Sequence, residues 1–194
     1  NNIEAQFFQI IKHVKEVVEP SIDNNSPTRP NKFISSTFPK CGTHFVCGIL
    51  SRMTQLKDYW LPSDETLREA ETISSTPKGH FLAGHNSITS DSFFAALADG
   101  GYRVILTIRD PRDQIISHYF YYLNKFNDGN SVDNQDFLQK FNMSDAINML
   151  TTGFILPTIA RTSLPVRMFN FVNNYYSNCQ RLEIPFFSAS MNNF

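Results

Sequence analysis

Residues 37–45 read Thr-Phe-Pro-Lys-Cys-Gly-Thr-His-Phe, and they connect two segments of different periodicity. The preceding residues 32–38 are rich in side chains that favour strands, and Pro39 stops that strand. In residues 43–53 the apolar side chains recur at the spacing of one helix face. The sequence therefore predicts a strand, a tight turn with one glycine, and a helix, which is the local pattern of an α/β fold.

The predicted turn has the chemistry of an anion-binding site. The first N–H groups of a helix converge on one point, where the helix dipole favours negative charge. Lys40 adds a positive charge there, and Thr43 adds a hydroxyl donor. The turn is not a Walker A sequence, because Lys40 precedes Gly42 instead of following it. The alternative is an ordinary strand–turn–helix connection with a surface lysine.

Strands and helices alternate along the rest of the chain. Residues 103–108 form a continuous apolar run, as in a strand buried on both faces, and residues 80–83 predict a short strand ending at Gly84. Helices are predicted at residues 1–19, 63–72, 91–98, 111–125, 134–150 and 165–176, and a last strand at residues 181–187. This alternation predicts one α/β domain over residues 1–194, with a mainly parallel sheet flanked by helices and ligands at the carboxyl ends of its strands.

Length and composition exclude several classes of protein. A chain of 194 residues suits one domain with a real core. With 17 basic and 18 acidic residues the net charge is −1, so no general positive field holds a nucleic acid. No apolar run is long enough to span a membrane, and no signal-peptide pattern opens the chain. The three cysteines form no CxxC pair, which predicts reduced thiols in the cytoplasm. Cys41, His44 and Cys47 lack a fourth ligand, so no metal site is predicted.

A second group of polar residues follows the strand at residues 103–108. Arg109 ends the strand, Asp110 is in position to cap the next helix with Pro111 at its first position, and Ser117 lies about two turns into that helix. A guanidinium and a hydroxyl that converge there suit a second phosphate, because arginine offers several fixed donors. The alternative is that Arg109 pairs with a helix-cap carboxylate and Ser117 is packed.

The two motifs together resemble those of the sulfotransferases that use 3′-phosphoadenosine 5′-phosphosulfate (PAPS). Residues 38–45 resemble the family's 5′-phosphosulfate loop, Tyr-Pro-Lys-Ser-Gly-Thr-Thr-Trp, and residues 109–117 resemble its 3′-phosphate motif, Arg-x-Pro-x-Asp-x-x-x-Ser. The resemblance covers residues 31–125 well and residues 126–194, which are expected to be mostly helical, only weakly. The family's C-terminal Arg-Lys-Gly and Gly-x-x-Gly-x-x-Lys segment is not found in this chain. The resemblance implies a P-loop-NTPase-like, cytosolic-type sulfotransferase domain.

The resemblance also assigns roles to particular residues. His85, just past the strand at residues 80–84, matches the family's catalytic base by location, and His80 is its rival. Lys40 would stabilise the leaving phosphate. Three positions depart from the usual loop, with Cys41 for Ser, His44 for Thr and Phe45 for Trp. The expected nucleotide-binding residues are Lys40, Cys41, Gly42, Thr43, His44, Phe45, Arg109 and Ser117.

The implied reaction moves a sulfuryl group from PAPS to a hydroxyl or amine and leaves adenosine 3′,5′-bisphosphate (PAP), with no metal required. The acceptor is expected to be a small molecule or a glycan, bound by loops within residues 58–78 and 124–154. The two phosphate sites are expected to lie one adenosine apart along the same edge of the sheet. Two alternatives stay open, a nucleotide kinase or NTPase of the same superfold and a non-catalytic module that binds a nucleotide.

Overall fold

The computed structural model describes residues 32–61, 69–85, 90–124, 141–155 and 160–191. The helix predicted at residues 1–19 lies outside the described residues, as do residues 63–68 and 134–140 of two other predicted helices. The chain forms two compact units, one within residues 1–108 and 171–194 and the other within residues 109–170. Among the described residues no helix is both long and apolar enough to cross a membrane.

The first unit contains a five-stranded parallel sheet. Its strands are β1 (Phe33–Thr37), β2 (Lys57–Trp60), β3 (His80–Gly84), β4 (Arg103–Arg109) and β7 (Phe186–Met191). The other two described strands, β5 (Gly153–Ile155) and β6 (Ala160–Thr162), form a separate pair. The order in the sheet is β2-β3-β1-β4-β7. In the centre Ile34 of β1 pairs in parallel with Leu82 of β3 and with Val104 of β4. This sheet, flanked by helices, confirms the predicted fold class.

The helices that begin at residues 43, 91 and 111 start where the sequence predicts. The predicted start at residue 134 is not that of the described helix Met143–Thr152, because Asn142 is the N-cap of that helix. The described helices are α1 (Thr43–Thr54), α2 (Glu69–Ser74), α3 (Asp91–Asp99), α4 (Pro111–Asn124), α5 (Met143–Thr152) and α6 (Leu164–Arg181). The side chain of Ser90 accepts a hydrogen bond from Phe93 N at 3.2 Å and so caps α3. Asp110 Oδ1 accepts from Arg112 N at 2.9 Å at the start of α4. Both caps satisfy helix N–H groups that have no partner within the helix.

The first unit buries both faces of its sheet. On one face, α1 packs on alternate residues of three strands, and the buried cluster comprises Phe33, Val46, Cys47, Leu50, Phe81, Ala83 and Ile105. On the other face, Ser36 Oγ donates to Tyr175 Oη at 2.7 Å, and the rings of Phe93 and Phe94 contact the Tyr175 ring. Each large side chain removed from water in this way contributes about 1.5–3 kcal/mol. Burial on two faces explains the continuous apolar run in β4.

The second unit has its own apolar cluster. Ile115 and Tyr119 of α4 pack with Ala146 and Leu150 of α5 and with Leu164 at the start of α6. The strands β5 and β6 form an antiparallel pair. This pair was not predicted, because two three-residue strands are too short to show a period.

Two elements near the ends of the sheet correct the sequence-based interpretation. The predicted last strand is present, but its predicted bounds of 181–187 are wrong, because α6 continues to Arg181 and β7 begins only at Phe186. The helix closes in a Schellman motif in which Ile184 N donates to Cys179 O at 2.9 Å and Glu183 has φ 54°. The usual glycine stop signal is missing, since glutamate occupies the left-handed position. Strand β2 was missed because it is an exposed edge strand without apolar alternation.

The hydrogen bond between Ser36 and Tyr175 predicts a stability effect. Tyr175→Phe leaves the buried Ser36 hydroxyl without this partner, which costs about 1–3 kcal/mol of unfolding free energy. Urea denaturation should therefore show a lower midpoint for this variant.

Thr107→Val is the matched control for that measurement. Among the described residues nothing hydrogen-bonds the buried Thr107 Oγ1, so its removal should leave stability unchanged or slightly raised. Equal urea midpoints for Tyr175→Phe and the wild type would contradict the stabilising role of the Ser36–Tyr175 bond.

Candidate functional site

The turn after β1 places two residues in left-handed backbone conformations. Lys40 has φ 67° and Gly42 has φ 83°. Cys41 N donates to Phe38 O at 3.1 Å, which closes the turn, and Val46 N donates to Gly42 O at 3.0 Å, which begins α1. Glycine adopts this conformation at little cost, whereas lysine does so at a strained position of the kind that clusters in functional sites.

The N-terminus of α1 has a composition that suits an anion cradle. Gly42 is the N-cap residue, and glycine has no side chain with which to cap the helix. Lys40 is half-buried beside it, and Thr43 is buried. The N–H groups, the helix dipole and the lysine therefore all favour negative charge at one place.

The three departures from the usual loop lie in different surroundings. Cys41 is fully buried, with Sγ 3.9 Å from Pro39 O, so the thiol fills the inside of the turn as a small apolar group. His44 and Phe45 are exposed on the first turn of α1. Their contacts with a nucleotide stay predictions.

His85 lies against the turn after β1, residues 38–43, which is named the phosphate turn for its predicted role. Its Nδ1 is 3.1 Å from Thr37 O, 3.2 Å from Thr37 Oγ1 and 3.5 Å from Thr43 Oγ1. A carbonyl oxygen can only accept, so the bond to Thr37 O assigns the imidazole hydrogen to Nδ1. The lone pair is then on Nε2, which makes this nitrogen the one that can take a proton.

The surroundings of His85 keep its imidazole neutral. Burial lowers the pKa of His85 below its usual value of 6.5, and the hydrogen bond to the Thr37 carbonyl opposes that shift. The positive charges of His44 and Lys40 lower the pKa of His85 further. A neutral imidazole at pH 7 is the form that a general base needs.

The rival histidine is at the other end of the same strand. His80 begins β3, and its Nδ1 is 3.1 Å from Lys78 O. Strands β1 and β3 are parallel, so the end of β3 that carries His85 is the end beside the phosphate turn. The geometry therefore favours His85 over His80 as the base.

Trp60 is part of this site and was missed by the sequence analysis. It ends β2 and pairs with Ala83 of β3. Its ring centroid lies 5.5 Å from that of His44 and 5.8 Å from that of His85, and its Nε1 donates to Asp58 Oδ2 at 2.6 Å. The available signal was the single tryptophan of the chain within residues 58–78, the segment expected to bind the acceptor.

The second motif belongs to the other compact unit. Arg109 ends β4, and its Nε is 3.8 Å from Asp113 Oδ2, a loose and partly exposed pair that contributes little stability. The cap carboxylate of Asp110 pairs instead with Arg112, at 2.6 Å, and these hydrogen bonds lower the pKa of Asp110 to about 2. Ser117 is half-buried on α4. The phosphate-binding role of Arg109 and Ser117 stays a prediction.

The cysteines show no metal-binding arrangement in the part of the chain that the structure describes. No three or more His, Cys, Asp or Glu side chains there form a group that would hold a metal ion. Burial raises the pKa of the Cys47 thiol to about 11 and that of the Cys179 thiol to about 12. Both thiols are therefore protonated at neutral pH, which is not the form that binds a metal.

Comparison with solved structures relates this fold to a known enzyme class. A crystal structure of mouse sulfotransferase SULT7A1 complexed with PAP superposes with a TM-score of 0.50 and 15% sequence identity, covering 83% of this chain and 52% of that one. The chain thus spans about half the length of that sulfotransferase. It has a sulfotransferase-like fold. No family model matches the sequence, and no curated protein matches it.

The geometry around His85 predicts its titration. In histidine-selective NMR, with His85→Asn used for assignment, the His85 resonance should titrate below pH 6.5. In the unfolded chain His85 has its usual pKa of 6.5, so the unfolded state takes up this proton at a higher pH than the folded state does. The contribution of His85 to stability is therefore complete above pH 6.5 and is lost as the pH falls from 6.5 through the lower pKa of the folded state. A His85 midpoint at or above 6.5 would contradict the neutral imidazole.

Proposed function

We propose that this protein is a PAPS-dependent sulfotransferase, with His85 as general base and Lys40 as the group that stabilises the leaving phosphate. The observation that carries the proposal is that the candidate base lies beside the candidate anion site. A helix N-terminus with glycine as its N-cap and a lysine beside it lies next to a neutral imidazole whose Nε2 carries the lone pair. The sulfotransferase-like fold agrees with this assignment.

The donor would be held by two groups of residues. In this proposal the turn N–H groups, Thr43 and His44 bind the 5′-phosphosulfate, as the cradle at α1 favours an anion. Arg109 and Ser117 bind a 3′-phosphate, as their motif implies. The 3′-phosphate distinguishes PAPS from ATP, so this second group sets the choice of donor. Phe45 is exposed and offers a ring on which adenine stacks.

In the proposed sulfuryl transfer, every bond, proton and electron pair is accounted for by PAPS, the acceptor, His85 and the phosphate turn. The acceptor oxygen or nitrogen forms a bond to sulfur while the bond between sulfur and the 5′-phosphate oxygen breaks. The acceptor proton goes to His85 Nε2, and the electron pair of the broken bond stays on the phosphate oxygen as PAP leaves. Lys40 and the turn N–H groups stabilise that developing charge, which is the largest electrostatic requirement of such a transfer.

The donor assignment is tested by thermal shift with three nucleotides. PAP should raise the melting temperature more than ATP or AMP at equal concentration, because only PAP carries the 3′-phosphate. A larger rise with ATP that depends on Mg²⁺ would favour a kinase or NTPase instead. Binding of PAP without sulfation of any acceptor in a broad panel of alcohols, phenols, amines and glycans would favour a non-catalytic module.

Paired variants separate the two catalytic roles. His85→Asn should lower kcat by about 10²–10⁴-fold, whereas His80→Asn at the far end of β3 should leave it near normal. Lys40→Ala should lower kcat by about 10²–10³-fold, with Lys57→Ala as its control. Near-normal turnover in His85→Asn, measured with labelled PAPS, would remove His85 from the mechanism.

The proposed 3′-phosphate site predicts a binding defect. Arg109→Ala should weaken PAP binding roughly 10- to 100-fold in calorimetry, as expected for a lost charge-assisted contact. Arg112→Ala is the matched control, because Arg112 is exposed and pairs with Asp110. Equal PAP affinities for the two variants would show that Arg109 does not hold the nucleotide.

A further inference from the structure

Thr37 makes more hydrogen bonds at the site than its place in the sequence suggests. It is the last residue of β1 and fully buried, and its side chain lies between two residues of the proposed machinery. Thr37 Oγ1 is 2.5 Å from Thr43 Oγ1 and 3.2 Å from His85 Nδ1, while its carbonyl is 3.1 Å from the same nitrogen. One residue thus contacts both the phosphate turn and the imidazole.

The directions of these bonds follow from the donors available. His85 Nδ1 has one hydrogen, which it shares between the carbonyl and the hydroxyl oxygen of Thr37. The Thr37 hydroxyl accepts that bond and keeps its own hydrogen for Thr43. An anion in the turn accepts from the Thr43 hydroxyl, and the Thr43 oxygen then accepts from Thr37. With an anion bound, every donor in the chain from His85 to Thr43 points towards the negative charge.

We propose that Thr37 is a positioning residue that transmits occupation of the phosphate turn to His85 through its hydroxyl. This inference rests on the proposed function. An aligned chain of hydrogen bonds strengthens each of its members. Stronger acceptance of the Nδ1 hydrogen by Thr37 makes Nε2 more basic, so the base gains strength when the nucleotide donor is bound. The empty site holds a weaker base in the same orientation.

The charged groups around His85 are accounted for on each described element. Lys40 and His44 belong to the turn and to the start of α1, and both oppose protonation of His85. On β2, the Asp58 carboxylate accepts a hydrogen bond from Trp60 Nε1, and the Trp60 ring lies between β2 and the imidazole as its ring neighbour. Substitution of the Thr37 hydroxyl changes none of these charges, so a change in the titration of His85 reports the hydrogen bond itself.

The first experiment uses the protein without ligand. In histidine-selective NMR, Thr37→Val should lower the pKa of His85 by roughly 0.7 pH unit, the equivalent of one neutral hydrogen bond of about 1 kcal/mol. Thr37→Ser should restore the wild-type value, because it keeps the hydroxyl. Thr107→Val is the matched control, since Thr107 is the register partner of Thr37 on β4 and loses an equally buried hydroxyl. An unchanged pKa in Thr37→Val overturns the proposal.

The second experiment adds saturating PAP. The pKa of His85 should rise on binding in the wild type and in Thr37→Ser, and should rise less in Thr37→Val and in Thr43→Val. Thr43→Val removes the hydroxyl at the other end of the series of hydrogen bonds. This second variant keeps the test decisive if Thr37→Val does not fold. An equal rise in all four proteins overturns the transmission through Thr37. Failure of PAP to bind the wild type overturns the proposed function instead, and the ligand-free comparison then decides the positioning role alone.

Discussion

The hydrogen bonds of Thr37 attach the candidate site to the most buried strand of the sheet. All residues of β1 are buried, and Thr37 still pairs with Thr107 of β4 while its carbonyl and hydroxyl bind His85. The imidazole is therefore held by residues of the packed core. Sites held in this way keep the short distances on which proton transfer depends.

The same positive charges serve two requirements of the proposed chemistry. Lys40 would attract the anion of the proposed nucleotide to the turn, and His44 and Lys40 both disfavour a proton on His85. A base beside an anion site would otherwise gain a proton from the attraction of that anion. Burial of His85 acts in the same direction, so its imidazole is neutral at pH 7. The chain as a whole has a net charge of −1, so this positive potential is local.

Much of the fold was predictable because local signals agreed with tertiary packing. The run at β4 is apolar throughout because both of its faces are covered, and Ser90 and Asp110 cap the helices that follow them. The errors have physical causes. Strand β2 lies at an exposed edge and shows no alternation. The end of α6 is set by a Schellman motif with Glu183 in the glycine position, which leaves no sequence signal for the stop.

The sequence alone determined the strand–turn–helix unit around Lys40 and the alternation of strands and helices that defines the α/β class. Both are written in local patterns, because each pattern depends on neighbours within about ten positions. Which histidine faces the turn, which imidazole nitrogen carries the hydrogen, and the place of Trp60 beside it were decided only by the tertiary structure. Those features arise from the parallel register, which brings the carboxyl ends of β1, β2 and β3 to one edge. Contacts across a sheet join residues far apart in the chain, so no local pattern encodes them.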